Sequence, residues 1–151
     1  MASSWYILAL LFAAVAMTQC SLLDFGKMIK YVTGKNPLNY LLYGCYCGLG
    51  GFGHPKDKTD WCCHKHDCCY GHLGKIGCKS MSKRYRFDVM DHKIICDAHK
   101  NYYCARRICE CDRAITLCFK ENLRSFSKEF ENYDKRAKCN QTELDCSKYK
   151  F

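Results

Sequence analysis

The chain has 151 residues, with 24 Lys and Arg against 15 Asp and Glu, so its formal net charge is +9 at pH 7. A charge of this sign predicts anionic partners, such as anionic membrane surfaces and sulfated glycans. The chain also has 15 cysteines. Dense disulfide frameworks belong to exported proteins, whereas thiolate zinc sites are usual in the reducing cytosol. For an exported, cysteine-rich protein, nucleic acid is a poor partner.

The N-terminal segment indicates export. Its apolar run, residues 5–17, has the length of a signal-peptide core, and polar residues then lead to Cys20, a small residue at a plausible cleavage site. This run is shorter than the ~20 apolar residues that a membrane span needs, so a permanent transmembrane helix is the weaker alternative. We predict that residues 1–20 are a signal peptide and that residues 21–151 form one extracellular domain.

The remaining cysteines predict a cross-linked fold. Without Cys20, the chain keeps fourteen of its 15 cysteines, from Cys45 to Cys146. An even number in an exported domain implies disulfide pairing, here seven bridges. The count alone leaves the pairs open, because so many bridges allow a very large number of connectivities. The fold is expected to depend on covalent links as much as on its core.

A helix and a loop are predicted at the start of the exported domain. Apolar residues recur at helical spacing over residues 22–32, with Lys27 and Lys30 between them, which predicts an amphipathic helix ending near Thr33. Closely spaced glycines over residues 43–53 exclude a regular helix. That segment is expected to turn sharply and to expose backbone carbonyls.

A second helix and a hairpin are predicted next. The helix is expected to have Thr59 or Asp60 as its N-terminal cap and to end at Gly71. Apolar and charged residues then alternate over residues 84–89, and a turn leads into the apolar residues 94–96. This pattern predicts a short β-hairpin.

A third, long helix is predicted from Arg106 to about Tyr133. Its helical spacing places Cys111 and Ile115 on an inward stripe, together with a cysteine and a phenylalanine one turn further on. Asp112 lies beside this stripe. The predicted elements therefore describe a mainly helical domain with a small hairpin.

The second helix carries a group of chemically active residues. His66 and Tyr70 share one face, Asp67 lies one position round, and His64 faces elsewhere and is expected to be solvated. Oxidised cysteines around this helix would make it rigid, as a general base requires. Asp67 and the carbonyls of residues 43–53 offer oxygen ligands for Ca²⁺. Reduced cysteines would instead indicate a zinc module.

Three motifs give the chain a resemblance to a known family. They are Cys62-Cys63-x-x-His66-Asp67-x-Cys69, Tyr43-Gly-Cys-Tyr-Cys-Gly-x-Gly-Gly51, and Cys109-Glu-Cys-Asp112 with Cys118. Together they resemble a secreted phospholipase A2 of the group II type, and the likeness runs from Ser21 to Cys146. It implies a mainly α, disulfide-rich fold with an N-terminal amphipathic helix, a calcium loop, two long disulfide-linked antiparallel helices and a small β-hairpin.

The resemblance implies a role for each catalytic residue. His66 is the general base that takes a proton from the water attacking the sn-2 ester of a glycerophospholipid. Asp112 orients the imidazole and stabilises its protonated form. Tyr70 and Tyr85 are expected to donate hydrogen bonds to Asp112 and to maintain its orientation.

The resemblance also implies one Ca²⁺ in each active site. Its expected ligands are the carboxylate of Asp67 and the backbone carbonyls of Tyr46, Gly48 and Gly50. The ion would polarise the ester carbonyl and neutralise the phosphate, while the Gly48 N–H helps to hold the oxyanion.

A disulfide map is implied as well. The expected pairs are Cys45 with Cys139, Cys47 with Cys63, Cys62 with Cys118, Cys68 with Cys146, Cys69 with Cys111, Cys78 with Cys104, and Cys96 with Cys109. The pair that contains Cys69 would join the two helices that carry His66 and Asp112.

Substrate and partners are expected on the side of the first helix. The predicted acyl slot and membrane face consist of Leu22, Leu23, Phe25, Ile29 and Leu49. A basic rim is expected to favour anionic phospholipid surfaces. Heparan sulfate and a cell-surface receptor are further candidate partners, no nucleic acid partner is expected, and the protein is expected to be a monomer or a weak homodimer.

Three departures from the family pattern and one rival function remain. Asp24 stands where many relatives carry Gln, residues 97–103 form a longer segment than in close relatives, and residues 147–151 form a tail beyond the last cysteine. The rival is a binding protein on the same scaffold, with little or no hydrolysis. Inactive relatives commonly lose the aspartate that here is Asp67, so the His66 and Asp67 pair favours the hydrolase.

Overall fold

The structure of the chain, a computed structural model, describes residues 21–151, and the predicted signal peptide lies outside the described residues. The elements in chain order are α1 (Ser21–Thr33), α2 (Lys58–Lys75), β1 (Asp88–Met90), β2 (Lys93–Ile95), α3 (Tyr103–Glu121) and α4 (Lys135–Lys138), with short 3₁₀ turns at Pro37–Tyr40, Leu123–Ser125 and Lys128–Phe130. The predicted mainly helical fold with a small hairpin is confirmed. In this part of the chain, no helix has the length and apolar character to cross a bilayer.

Helix α1 forms as its apolar periodicity predicts. It begins at Ser21, whose buried hydroxyl donates to the carbonyl of Ser80 at 2.6 Å. It ends at Thr33, and Gly34 follows with a φ of 72° and an N–H that bonds the Lys30 carbonyl at 3.0 Å. A left-handed glycine directly after the last turn is a common helix C-terminus.

The cap of α2 differs from the prediction. Asp57, rather than Thr59 or Asp60, is the N-cap, and its carboxylate accepts the N–H of Asp60 at 2.8 Å. The helix also continues four residues beyond Gly71, to Lys75. The side chain of Asp60 points into the interior and bonds other backbone groups, so Asp57 supplies the carboxylate that caps the helix.

Asp60 serves as an internal anchor for the glycine-rich loop. Its carboxylate is fully buried and accepts the backbone N–H groups of Cys45, Tyr46 and Lys56, each at 2.8 Å. A buried carboxylate that accepts several N–H groups is compensated for its lost hydration. The start of α2 is thereby connected to the loop that precedes it.

We expect Asp60→Asn to lower the free energy of unfolding by about 3 kcal/mol. The amide has one acceptor oxygen for the three backbone N–H donors, and its NH₂ group would face at least one of them. The measurement is denaturant unfolding of the oxidised protein. Asp145→Asn, which changes an exposed aspartate that accepts the Ser147 N–H, is the control and should leave the free energy of unfolding within about 0.5 kcal/mol of the wild-type value. Equal stabilities for Asp60→Asn and the wild type would contradict this account.

Helix α3 is shorter than predicted and begins earlier. It starts at Tyr103 rather than Arg106, and it ends at Glu121 rather than near Tyr133. The side chain of Asn122 donates to the Cys118 carbonyl at 2.9 Å, which satisfies one of the last helical acceptors. The chain then turns, and the Phe126 ring packs on the Tyr43 ring at 4.6 Å.

The hairpin has a two-residue turn. Val89 pairs with Ile94 in the antiparallel register, and the turn residues Asp91 and His92 have φ values of 48° and 61°. Positive φ at both central positions suits the right-handed twist of the strands.

Seven disulfides cross-link the described chain. They are Cys45–Cys139, Cys47–Cys63, Cys62–Cys118, Cys68–Cys146, Cys69–Cys111, Cys78–Cys104 and Cys96–Cys109. These are the seven pairs that the resemblance implies. Two of them join α2 to α3, and their order along the helices shows that the helices run antiparallel. Every cysteine from Cys45 to Cys146 is oxidised, so the thiolate zinc interpretation is wrong.

Candidate active site

The centre of the site is a histidine and an aspartate from the two cross-linked helices. His66 of α2 and Asp112 of α3 approach to 2.6 Å between Nε2 and Oδ1. Each residue lies within three positions of the Cys69–Cys111 disulfide. Asp112 is completely buried, and the His66 side chain is only 9% exposed. The disulfide therefore holds the backbone on both sides of the hydrogen bond.

Two tyrosines complete the surroundings of the aspartate. Tyr70 donates to Oδ1 of Asp112 at 2.7 Å, and Tyr85 donates to Oδ2 at 2.6 Å. Burial, and then the charge of Asp112, raises the pKa of the Tyr85 hydroxyl far above its ordinary value. Tyr85 therefore remains a donor at physiological pH. The structure brings together all four residues predicted for catalysis.

The second ring nitrogen of His66, Nδ1, can act as a proton acceptor. Nε2 is held by Asp112, while Nδ1 has no hydrogen-bond partner among residues 21–151. The Phe25 ring stacks on the imidazole at 5.0 Å between centroids and with an interplanar angle of 18°. One face of the imidazole is thus apolar, and a fixed tautomer with Nε2 protonated leaves Nδ1 as a proton acceptor.

Asp67 lies beside the glycine-rich loop. A Cβ on Gly51 would lie 2.7 Å from Oδ2 of Asp67 and 2.4 Å from the Tyr46 ring, so only glycine allows the loop to close on the carboxylate. Gly48 has a φ of 93°, and a Cβ there would overlap the Leu41 carbonyl. Burial raises the pKa of Asp67 to about 7, an effect that the charges of nearby cations reduce. The structure thus places Tyr46, Gly48 and Gly50 in one loop with Asp67 against it.

A lysine that the sequence did not single out contacts this loop through its ammonium group. The ammonium of Lys135, from α4, donates to the carbonyl of Cys47 at 2.8 Å and reaches that of Leu49 at 3.4 Å. Its charge lowers the pKa of Asp67, and burial lowers its own pKa. The sequence contained one indication of this contact. Lys135 lies four residues before Cys139, and the disulfide expected for Cys139 joins it to Cys45 at the start of the loop.

His64 was predicted to be solvated, and this prediction is wrong. Its side chain is only 1% exposed, and Nδ1 lies 3.0 Å from the hydroxyl of Tyr149. The C-terminal tail folds back over α2, where Lys148 also lies 4.1 Å from the centre of the Trp61 ring. Burial lowers the pKa of His64. The imidazole has a structural role in holding the tail and does not contact His66.

The residues predicted for the acyl slot fall into two groups. Leu22, Leu23 and Leu49 are 43%, 47% and 67% exposed, whereas Phe25 is half-buried against the imidazole of His66. Ile29 is buried in the core instead. We refer to the three exposed leucines as the exposed apolar rim, and Phe25 is the predicted slot residue that contacts His66.

Comparisons with known proteins identify the family of the chain. The sequence model of the family described as Phospholipase A2 matches residues 22–131. Group IID secretory phospholipase A2 of Mus musculus is 46% identical over 125 residues, which cover 82% of this chain and 86% of the relative. Group IIE secretory phospholipase A2 of Homo sapiens is 44% identical over 128 residues, with coverages of 85% and 89%. Basic phospholipase A2 daboxin P of Daboia russelii is 52% identical over 114 residues, with coverages of 75% and 91%. The chain therefore belongs to the phospholipase A2 family of enzymes.

Proposed function

We propose that the protein is a secreted, calcium-dependent phospholipase A2. It hydrolyses the sn-2 ester of glycerophospholipids at membrane surfaces and releases a free fatty acid and a lysophospholipid. The observation that carries this proposal is the 2.6 Å hydrogen bond between His66 and a buried Asp112, with Asp67 and the glycine-rich loop beside them. The domain proposed for this activity is residues 21–151, with a short C-terminal extension, and residues 1–20 are proposed to be its signal peptide.

The chain's own residues provide the proton transfer. Nδ1 of His66 takes a proton from the water that attacks the ester carbonyl, and the imidazole later gives it to the leaving lysophospholipid oxygen. Asp112 keeps Nε2 protonated and stabilises the imidazolium that forms. Tyr70 and Tyr85 hold the two oxygens of Asp112 in place. No covalent acyl-enzyme is needed, because water is the nucleophile.

The residues at the glycine-rich loop fit one Ca²⁺. The carboxylate of Asp67 and the carbonyls of Tyr46, Gly48 and Gly50 are hard oxygen donors, the ligand class that Ca²⁺ takes. The raised pKa of Asp67 supports this assignment, since a buried carboxylate gains from a nearby cation. A Ca²⁺ held by these residues would supply polarisation of the ester carbonyl and a counter-charge to the lipid phosphate. The Gly48 N–H then serves as an oxyanion donor.

The proposed substrate surface is the exposed apolar rim. Leu22, Leu23 and Leu49 are suited to the acyl region of a bilayer, and Lys27 and Lys30 of α1 are suited to anionic headgroups. The formal charge of +9 also supports binding to heparan sulfate or to an acidic cell-surface receptor. The proposed oligomeric state is a monomer or a weak homodimer.

The test is hydrolysis of vesicles whose phospholipids carry different acyl chains at sn-1 and sn-2. We expect only the sn-2 acid to be released, in the presence of Ca²⁺ and not of EGTA, and faster from anionic than from zwitterionic vesicles. Release of the sn-1 acid, or release that EGTA leaves unchanged, would contradict the mechanism. No release from folded, fully oxidised protein would leave the rival binding function.

We expect Tyr70→Phe and Tyr85→Phe each to lower kcat about fivefold, and the double variant to lower it by more than either. Each change removes one hydrogen bond to Asp112 and leaves the apolar packing of the ring. The measurement is initial velocity against lipid concentration. Tyr103→Phe, at an exposed tyrosine of α3, is the control and should have wild-type kinetics. Wild-type kcat in the double variant would exclude a positioning role for these hydroxyls.

A further inference from the structure

The aspartate that departs from the family pattern makes a specific ion pair. Asp24 lies in the first turn of α1 and is only 5% exposed. Arg84 donates to both of its oxygens, from Nε to Oδ2 at 3.0 Å and from Nη2 to Oδ1 at 2.8 Å. Such a bidentate pair fixes the relative orientation of the two groups as well as their separation. A charge buried to this extent needs its partner, because an unpaired one is strongly unfavourable.

The ion pair connects two segments that both reach the catalytic residues. Arg84 directly precedes Tyr85, whose hydroxyl donates to Oδ2 of Asp112. Asp24 directly precedes Phe25, whose ring stacks on the imidazole of His66. The Asp24–Arg84 pair therefore links a residue that holds the aspartate to a residue that covers the histidine.

Two further observations support this connection. The Ser21 hydroxyl donates to the carbonyl of Ser80, so α1 and the segment before Tyr85 are joined at a second point. The pKa of Tyr85 is raised first by burial and by the charge of Asp112, and the charge of Asp24 adds to this effect. Arg84 supplies the compensating positive charge.

We propose that Asp24 and Arg84 are positioning residues of the catalytic centre, which act through Tyr85 on Asp112 and so on the imidazole of His66. This inference rests on the proposed function of the His66 and Asp112 pair. The ion pair fixes the Tyr85 hydroxyl relative to α1, and a fixed Tyr85 in turn fixes the carboxylate that orients the general base. Neither residue contacts the substrate ester in this arrangement.

The kinetic test uses the oxidised protein and compares Asp24→Asn with the wild type. We expect kcat to fall about fivefold, as for Tyr85→Phe, since Asp24 acts through that hydroxyl, while KM and binding to anionic vesicles change less than about twofold. Arg84→Lys keeps the positive charge but cannot form the bidentate pair. We therefore expect this variant to lose about threefold in kcat and to keep the wild-type unfolding temperature. Asp88→Asn breaks the exposed pair with Lys100 and is the matched control, with unchanged kcat.

A double-mutant cycle separates positioning from general destabilisation. If Asp24 acts through Tyr85, Asp24→Asn should have almost no further effect on kcat in a Tyr85→Phe background. Multiplicative effects of the two changes, or an effect on KM in place of kcat, would overturn the proposal. Arg84→Lys, the milder variant, takes the place of Asp24→Asn in the cycle if the latter does not fold.

A second measurement does not depend on turnover. The proton between Nε2 of His66 and Asp112 should give a downfield ¹H NMR resonance, which we expect to move in Asp24→Asn and Arg84→Lys and to stay in Asp88→Asn. An unmoved resonance in both variants would overturn the positioning role even if the enzyme is active. A moved resonance in a protein that releases no fatty acid would support the positioning role and contradict the proposed function, so the two failures are distinguishable.

Discussion

His66→Gln is expected to lower fatty-acid release by about 10³-fold, within the range of general acid–base contributions. Glutamine has a similar volume and can keep a polar contact to Asp112, but its amide cannot accept a proton at neutral pH. The water would then attack without a base. The measurement is release of a labelled sn-2 chain from anionic vesicles with saturating Ca²⁺, alongside unfolding of the variant to verify its fold.

His72→Gln is the matched control for this experiment. His72 lies on the same helix and is exposed near its C-terminus, so its replacement should leave release unchanged. Vesicle binding by His66→Gln should also equal that of the wild type, because the exposed apolar rim is untouched. Release by His66→Gln within a few-fold of the wild type would exclude His66 as the base and would require another proton acceptor.

The sequence predicts those parts of the site whose residues lie close together along the chain. His66, Asp67 and Tyr70 lie within one helical turn and a half, and their relation follows from helix geometry alone. Asp112 and Tyr85 are 46 and 19 residues from His66, and their meeting depends on how the helices pack. The family motifs supplied that information, and the observed hydrogen bonds to Asp112 agree with it.

The parts that the sequence did not predict depend on contacts between distant segments. Aspartate is a residue type that often caps helices, but the carboxylate of Asp60 accepts three backbone N–H groups from residues that precede α2, and Asp57 is the cap. His64 was expected in solvent because helix position alone cannot show that Tyr149 folds back onto it. Lys135 was missed for the same reason, since 68 residues separate it from Asp67. In each case tertiary packing determines the position of a charged or polar group, and the hydrophobic periodicity of the sequence does not reveal that packing.

Asp67→Asn is expected to lower calcium-supported release by about 10²-fold to 10³-fold. The amide retains one oxygen but loses the single carboxylate charge of the proposed calcium site, so the affinity for the ion should fall steeply. The measurement is release as a function of Ca²⁺ concentration, with Ca²⁺-dependent stabilisation of the fold as a second readout. Asp88→Asn, at the exposed carboxylate that pairs with Lys100, should retain the wild-type calcium response.

The same carboxyl predicts how calcium stabilisation depends on pH. In the cation-free protein, burial raises the pKa of Asp67 to about 7, whereas the unfolded value is about 3.9. The folded state therefore holds the proton more tightly, so this group's contribution to stability is complete below about pH 4 and is lost as pH rises through about 7. A cation at the carboxylate replaces the proton and removes that loss. We expect Ca²⁺ to raise the unfolding midpoint more at pH 8 than at pH 5.

Asp67→Asn provides the decisive comparison for this pH dependence. Asparagine does not titrate, so the variant should show neither the loss of cation-free stability between about pH 4 and 7 that belongs to Asp67 nor the larger calcium shift at pH 8. An equal calcium shift in the variant and the wild type would place the ion elsewhere. A wild-type shift that is the same at pH 5 and pH 8 would mean that Ca²⁺ does not compete with a proton at Asp67, and the carboxylate would then have to be removed from the proposed ligand set.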